Sequence, residues 1–349
     1  MLCLTPRLTA EVQPPVTGNV PAHPVQPTPV SIWRAAARAQ NADASSRLVK
    51  RLKFIVRAWS QRRFTRAWLA RLIQPDLAPL WALRPRLATK LQRPYVSCAW
   101  DAPVRCAALL GHYDLLPRLF AADVRAAIYR SGISLLRLDD ATPARNLDVR
   151  LFYHDKFEKE GELTLAIRDT TTGLMLAGLT FSLARNGDRR IAIVGGLQAS
   201  RDPATRALIH DAAKALHGLR PKALALWCLQ QLASAWRIAQ IQAVGDAQHV
   251  WRHWRKRREI ASSHDEFWLE SGGRELPGGG SWELPLQLRP RSREQLKPSR
   301  RKAHERRYAM LAALQPQLLA AVAALAPRVE APALRRPLDA ELVAPHHSF

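Results

Sequence analysis

Acidic residues are scarce in this chain: 29 Asp and Glu stand against 53 Lys and Arg, a net charge of +24 over 349 residues. Such a surface repels partners of its own sign and favours anionic ones, whether phospholipid, nucleic acid or a phosphorylated ligand. Cysteine is scarcer still. Cys3, Cys98, Cys106 and Cys228 include no C-x-x-C pair, which excludes a zinc ribbon, a thioredoxin-like site and a disulfide scaffold and implies a reducing interior. No stretch reaches the ~18 apolar residues of a membrane-spanning helix. Met1 to Thr9 is interrupted by Pro6 and Arg7, so the unbroken apolar run of a signal peptide is missing there. The expectation is a cytoplasmic protein, peripheral to the inner membrane if it meets a membrane at all. A Walker loop, a dinucleotide fingerprint, a Ser-His-Asp order and internal repeats are absent too.

What is present is ordinary globular material. Hydrophobic residues make up 47% and charged residues 23%, enough for a sizeable core and too apolar for a disordered chain. Residues 1–30 hold six closely spaced prolines from Pro14 to Pro29 and read as an extended, disordered leader. Residues 31–93 read as a basic helical extension, with 15 Lys and Arg against 2 Asp, a net +13. Within it, 45–73 reads as one helix with Leu48, Leu52, Ile55 and Trp59 at helical spacing among Lys50, Arg51, Lys53, Arg57, Arg62, Arg63 and Arg66. Such a helix either packs on the main domain or lies on anionic membrane lipid. No nucleic-acid reader motif accompanies it.

Residues 95–285 read as an α+β domain with a mixed, mostly antiparallel sheet flanked by helices. Residues 81–94 read as a connector and 107–140 as helical, with a turn at Gly111-His112-Tyr113-Asp114. Leu163, Leu165 and Ile167 alternate with Thr164, Ala166 and Arg168, the period of a strand. A second strand runs from Leu174 to Leu183, a tight turn at Asn186-Gly187 follows, and a third strand runs from Arg190 to Leu197. A helix opened by Asp202-Pro203 ends at Gly218; another, apolar nearly all round, starts at Pro221. A strand from Ala239 to Val244 returns to the sheet. Beyond Gln248 come a basic helix, a Gly-rich loop at 272–280, a basic C-terminal helical arm over 286–325 and a flexible tail over 326–349.

Several runs are shared with a known family. Glu160-Gly161-Glu162-Leu163-Thr164-Leu165, Gly195-Gly196-Leu197-Gln198 and Leu216 to Lys222 resemble the bacterial VirK/YbjX family. His112-Tyr113, Asp265-Glu266-Phe267-Trp268 and the basic run from Arg301 to Tyr308 agree with it. The resemblance covers about residues 95–312. It implies a domain of unknown function, virulence-associated in some members, that supports envelope or stress physiology; it supplies no reaction, cofactor or catalytic residue.

The order from 161 to 244 also resembles the core of the GCN5-related acyltransferase fold, in which the loop after the third strand opens a helix whose amides hold the pyrophosphate of acyl-CoA. The corresponding residues are Gly195, Gly196, Gln198, Ser200, Arg201 and Arg206. Here Gln198 is followed by Ala199-Ser200-Arg201-Asp202-Pro203 in place of that family's Q/R-x-x-G-x-G/A, and Asp202 puts a negative charge at the helix start. Asp246 and His249, just past a strand, are candidates for an acid–base pair. His249 and His253, four apart on an expected helix, lack a third ligand, and no metal site is expected. Asp265 and Glu266, with Glu270 and Trp268, form an acidic–aromatic island that either anchors the basic arm or takes a proton from a substrate amine. Two functions stand side by side: an acyl-CoA-dependent, acyltransferase-like enzyme, and a non-catalytic adaptor for anionic lipid or a protein partner.

Overall fold

The computed structural model describes residues 44–138, 147–199, 202–251, 263–288, 294 and 296–327. The leader at 1–30 and nearly all of the tail lie outside the described residues.

Eight strands form one sheet: β1 (Ile133–Arg137), β2 (Leu147–Phe152), β3 (Leu163–Asp169), β4 (Met175–Asn186), β5 (Arg189–Gln198), β6 (Ile238–Val244), β7 (Arg274–Glu275) and β8 (Ser281–Leu284). Their order is β1-β2-β3-β4-β5-β6-β8-β7. Every neighbouring pair is antiparallel except β5 and β6, because two helices intervene between them, α6 (Pro203–Ala215) and α7 (Pro221–Ala235). The expected meander is therefore β3–β5. Its turn falls one residue later than expected: Asn186 still pairs with Arg189, so Gly187 and Asp188 make the loop, with Gly187 at φ 58°.

Four strands went unread, β1 and β2 at one edge of the sheet and β7 and β8 around the Gly-rich loop at the other. The stretch expected to be helical through residue 140 ends in β1, and β2 follows, so the sheet extends two strands beyond the meander. Nor is there a turn at residues 111–114. A single helix, α4 (Ala102–Leu119), runs through them. Gly111 serves packing there: a Cβ at that position would press on the β4 backbone at Ala184 and Arg185, 3.4 Å away. Next to it, buried His112 accepts the Leu183 amide through Nδ1 at 3.1 Å. Burial pushes His112 down to about 4, so it stays neutral as this acceptor requires.

From its second helix onward the basic N-terminal region is built into the same core, while Phe54 and Ala58 of the first form a small cluster of their own. It forms α1 (Ala44–Ser60), α2 (Arg62–Leu72), α3 (Ala78–Leu83) and a 3-10 helix (Pro85–Gln92), and Trp68, Leu72, Leu77, Leu87 and Leu91 are fully buried with the sheet residues. The expected connector at 81–94 is thus interior, and packing continues across residue 94. α5 (Ala122–Arg130) packs on β2. As expected, α7 is buried nearly all round. The C-terminal arm, α9 (Pro298–Ala324), follows the short α8 (His264–Glu270) and buries Met310, Leu311, Leu314, Leu318 and Val322.

An ion pair ties the N-terminal helices to the sheet. Lys90 Nζ meets Glu162 Oε1 at 2.6 Å, with the two side chains 3% and 0% exposed. Tyr113 donates its hydroxyl to Glu162 Oε2 at 2.6 Å and accepts from Tyr129 at 3.1 Å, while Lys90 Nζ lies 4.9 Å over the Tyr153 ring. Removing one partner leaves a buried charge. Lys90→Met should cost about 3–5 kcal/mol in urea unfolding, and adding Glu162→Gln should restore most of it, since the amide still accepts from Tyr113. Additive losses in the double variant would show that the pair is not coupled.

Candidate functional site

Where β5 parts from β6, ionisable side chains collect. The parallel ladder runs only from Arg190 and Ile238 to Val194 and Ala243. On its other side β5 pairs Gly196 with Thr180 and Val194 with Phe181, so Gly195 is an extra, bulged residue. Residues 195–198 thus leave the β6 ladder while staying on β4. A bulge beside a diverging parallel pair frees backbone groups at a sheet interior, a place that needs new partners.

Glu160 occupies the space beside that bulge. It sits on the turn entering β3 and is fully buried. A Cβ at Gly195 would overlap its carbonyl oxygen, and one at Gly196 would overlap its carboxylate. The two glycines therefore admit Glu160, rather than the ligand phosphate expected there. Glu160 Oε1 accepts from Gln198 Nε2 at 2.9 Å and from Trp251 Nε1 at 2.7 Å. Its Oε2 is buried without a hydrogen-bond partner. Burial pushes the carboxyl up to about 7, against the opposing pull of those two hydrogen bonds.

Two histidines face it. His249 is not on a helix: it lies in the turns after β6 and forms an isolated bridge with Ser97. Its Nδ1 accepts the Trp251 amide at 3.4 Å, which leaves the proton of the neutral ring on Nε2, 3.9 Å from Glu160 Oε1 and without a hydrogen-bond partner. Burial lowers His249 to about 4, with the neighbouring His264 adding to the effect. The rings of His249 and His264 are 4.8 Å apart. His264 opens α8; its Nε2 faces the freed Leu197 carbonyl at 3.2 Å and its Nδ1 faces Asp246 Oδ1 at 3.4 Å. Asp246 also accepts from Ser263 Oγ at 2.7 Å and the His264 amide at 2.9 Å. Burial alone would raise Asp246, but these hydrogen bonds outweigh it and hold the carboxyl well below the usual range.

The structure thus joins Asp246, His249 and Gln198 of the expected residues with Glu160, His264 and Trp251, which the sequence reading left out. Asp265 stands behind them, accepting from Trp282 Nε1 at 2.8 Å and the Asp246 amide at 3.2 Å. Glu266 is exposed, and its amide is capped by Ser263 Oγ at 3.1 Å. That Ser-x-x-Glu spacing is a helix-start signal and was legible as one. Glu270 pairs at the surface with Arg220, which precedes α7 and is not part of the basic arm. Arg206 is exposed in the first turn of α6, its amide bonded to the Asp202 carbonyl at 3.0 Å. Ser200, Arg201 and His253 lie outside the described residues. Among the described residues, no three His, Cys, Asp or Glu side chains are placed to share a metal ion, and no helix is long and apolar enough to cross a membrane. A groove of 1640 Å³ lined by Arg220, Gln230, Arg307 and Tyr308 includes none of Glu160, His249 and His264; unpartnered buried polar atoms point to the latter cluster instead.

A carboxyl whose folded pKa is raised stabilises the fold only while protonated. Its contribution is complete below the unfolded value of 4.5 and is lost as pH rises through about 7, a change of roughly 3 kcal/mol. His112 and His249 act in the opposite direction between about 4 and 6.5, but both are present in a Glu160→Gln variant. Relative to that variant, the wild type should therefore lose about 2–3 kcal/mol between pH 5 and 8 in urea unfolding. A constant difference across that window would mean that Glu160 ionises like an exposed glutamate.

Comparison with known proteins places the chain. The family described as "Protein of unknown function (DUF535)" matches residues 43–320. The chain is 30% identical over 273 residues to "Uncharacterized protein YbjX" of Escherichia coli (strain K12), covering 77% of this chain and 82% of that protein. It is 29% identical over 119 residues to an uncharacterized protein of Haemophilus influenzae, covering 34% of this chain and 40% of that one. The chain belongs to the DUF535 family, the YbjX family read from its sequence runs, and the match takes in the N-terminal helices that the sequence reading set apart.

Proposed function

We propose that this chain is an acyltransferase-like enzyme in which Glu160 is the general base. The observation that carries the reading is the meeting of a bulged, diverging strand end with a buried carboxyl pushed up to about 7. A base poised near neutral pH can both take and return a proton. The unpartnered Glu160 Oε2 is the position at which a reacting hydroxyl or amine gains a hydrogen bond that the free protein lacks.

In the step envisaged, an amine or hydroxyl nucleophile gives its proton to Glu160 and attacks the carbonyl carbon of an acyl thioester. The new N–C or O–C bond forms, the C–S bond breaks, and its electron pair leaves on sulfur. Glu160 then returns the proton to the thiolate, so carboxylate, acyl product and free thiol are the end state. Asp246 holds His264, which in turn holds the Leu197 carbonyl and packs beside His249; these are positioning residues. An acyl-CoA donor would approach the start of α6 past Arg206, with exposed Asp202 as the unfavourable charge there.

The full chain should gain thermal stability with millimolar acyl-CoA by mass action. With a panel of small amines it should release free thiol. Glu160→Gln should keep the thermal shift and lose about 10²- to 10⁴-fold in thiol release. No shift and no thiol release with any chain length of acyl-CoA would end this reading in favour of the adaptor.

A further inference from the structure

α1 is two-sided. Phe54 and Ala58 are buried at 6% and 1% exposure, whereas Leu52, Val56 and Trp59 are 63%, 60% and 65% exposed. At 3.6 residues per turn, the exposed three fall within about 60° of one another and about 150° from the buried pair. The helix is held to the body on the buried side, where Arg57 Nη1 donates to the Gln92 carbonyl at 3.1 Å. The outward stripe differs from the sequence expectation: Val56 joins it, and half-buried Ile55 turns toward the body.

The charges around this stripe point to its partner. No acidic residue occurs from 44 to 75. Lys53, Arg62, Arg63 and Arg66 are exposed, and none of the four forms an ion pair with an acidic side chain among the described residues. Three large apolar side chains in water, with exposed Lys53 on the same helix and three exposed arginines at the start of the next, fit a surface that is apolar within and anionic outside. A second copy of this chain would bring the same cations face to face, which costs free energy. Trp59 has the apolar body and polar N–H that suit a bilayer interface, and basic residues beside an apolar stripe suit anionic headgroups.

We infer that α1 is a membrane-surface anchor, seating Leu52, Val56 and Trp59 at the acyl boundary of an anionic phospholipid bilayer while Lys53, Arg62, Arg63 and Arg66 meet its headgroups. The inference is independent of the acyl-transfer reading, since none of these residues belongs to the Glu160 cluster.

Sedimentation of the full chain with vesicles tests it. The protein should pellet with an equal mixture of phosphatidylglycerol and phosphatidylcholine, stay in solution with phosphatidylcholine alone, and be released by high salt. Leu52→Ser/Val56→Ser/Trp59→Ser should lower the anionic-vesicle partition coefficient about tenfold or more with an unchanged melting temperature, because these side chains already stand in water. The inference is overturned if wild type binds both vesicles equally or neither. It is equally overturned if the triple variant pellets like wild type, which would mark charge alone, or if the stripe instead drives self-association in solution.

Discussion

Burying carboxylates is the constraint on which this structure turns. In a chain with so few acidic residues, Glu158, Glu160 and Glu162 are all buried on the approach to β3. Each has a different answer to the cost of leaving water. Glu158 takes two arginines, Arg86 at 2.5 Å and Arg93 at 2.9 Å. Glu162 takes Lys90 and Tyr113. Glu160, between them, receives neutral donors only and shifts its pKa instead. The two paired neighbours fix the strand entry from the N-terminal side, and that rigidity keeps an unpaired carboxyl against the Gly195–Gly196 backbone.

The same arrangement separates stability from function. Leucine or methionine at 90 and 162 would pack without any desolvation cost, so the Lys90–Glu162 pair is weak as a stabiliser compared with an apolar contact. What it supplies is a single seat for Tyr113, Tyr129 and Tyr153, whose hydroxyls burial and the Glu162 charge push well above the ordinary range. Glu160 has no such compensation and destabilises the fold whenever it is ionised. A buried group that costs stability near neutral pH is a candidate for chemistry, since no packing reason retains it.

Much of the scaffold was legible from local pattern. β3 to β5 alternate with period two around turn residues, and α7 is apolar on every side, so periodicity and length agreed. β1 and β2 were lost because Ile133–Arg137 is short and follows directly on a helix, where a few apolar residues fit either period. Gly111 read as a turn because sequence cannot show the strand backbone lying against it. The site was half legible. Asp246 and His249 stand just past β6, a place that already suggests chemistry. Glu160 and His264 join them from 86 positions before and 18 after Asp246, and nothing local signals that meeting. The glycines suggest a bound phosphate, but the space beside them holds the carbonyl and the carboxylate of Glu160.

The last long helix has a bearing on how this protein is made. The amide of Ala121 donates to the carbonyl of Leu325 at 3.0 Å, and α9 packs on α7 and β1. Lys90 likewise waits for Glu162, 72 positions later. On a ribosome delivering about 5–20 residues per second, the basic N-terminal helices emerge many seconds before either closure is available. During that interval the apolar faces of α2 and α3 have no native cover, and the surrounding positive charge opposes association of nascent chains. The arginine-rich composition proposed to suit an anionic surface in the finished protein therefore also opposes association of the unfinished one during translation.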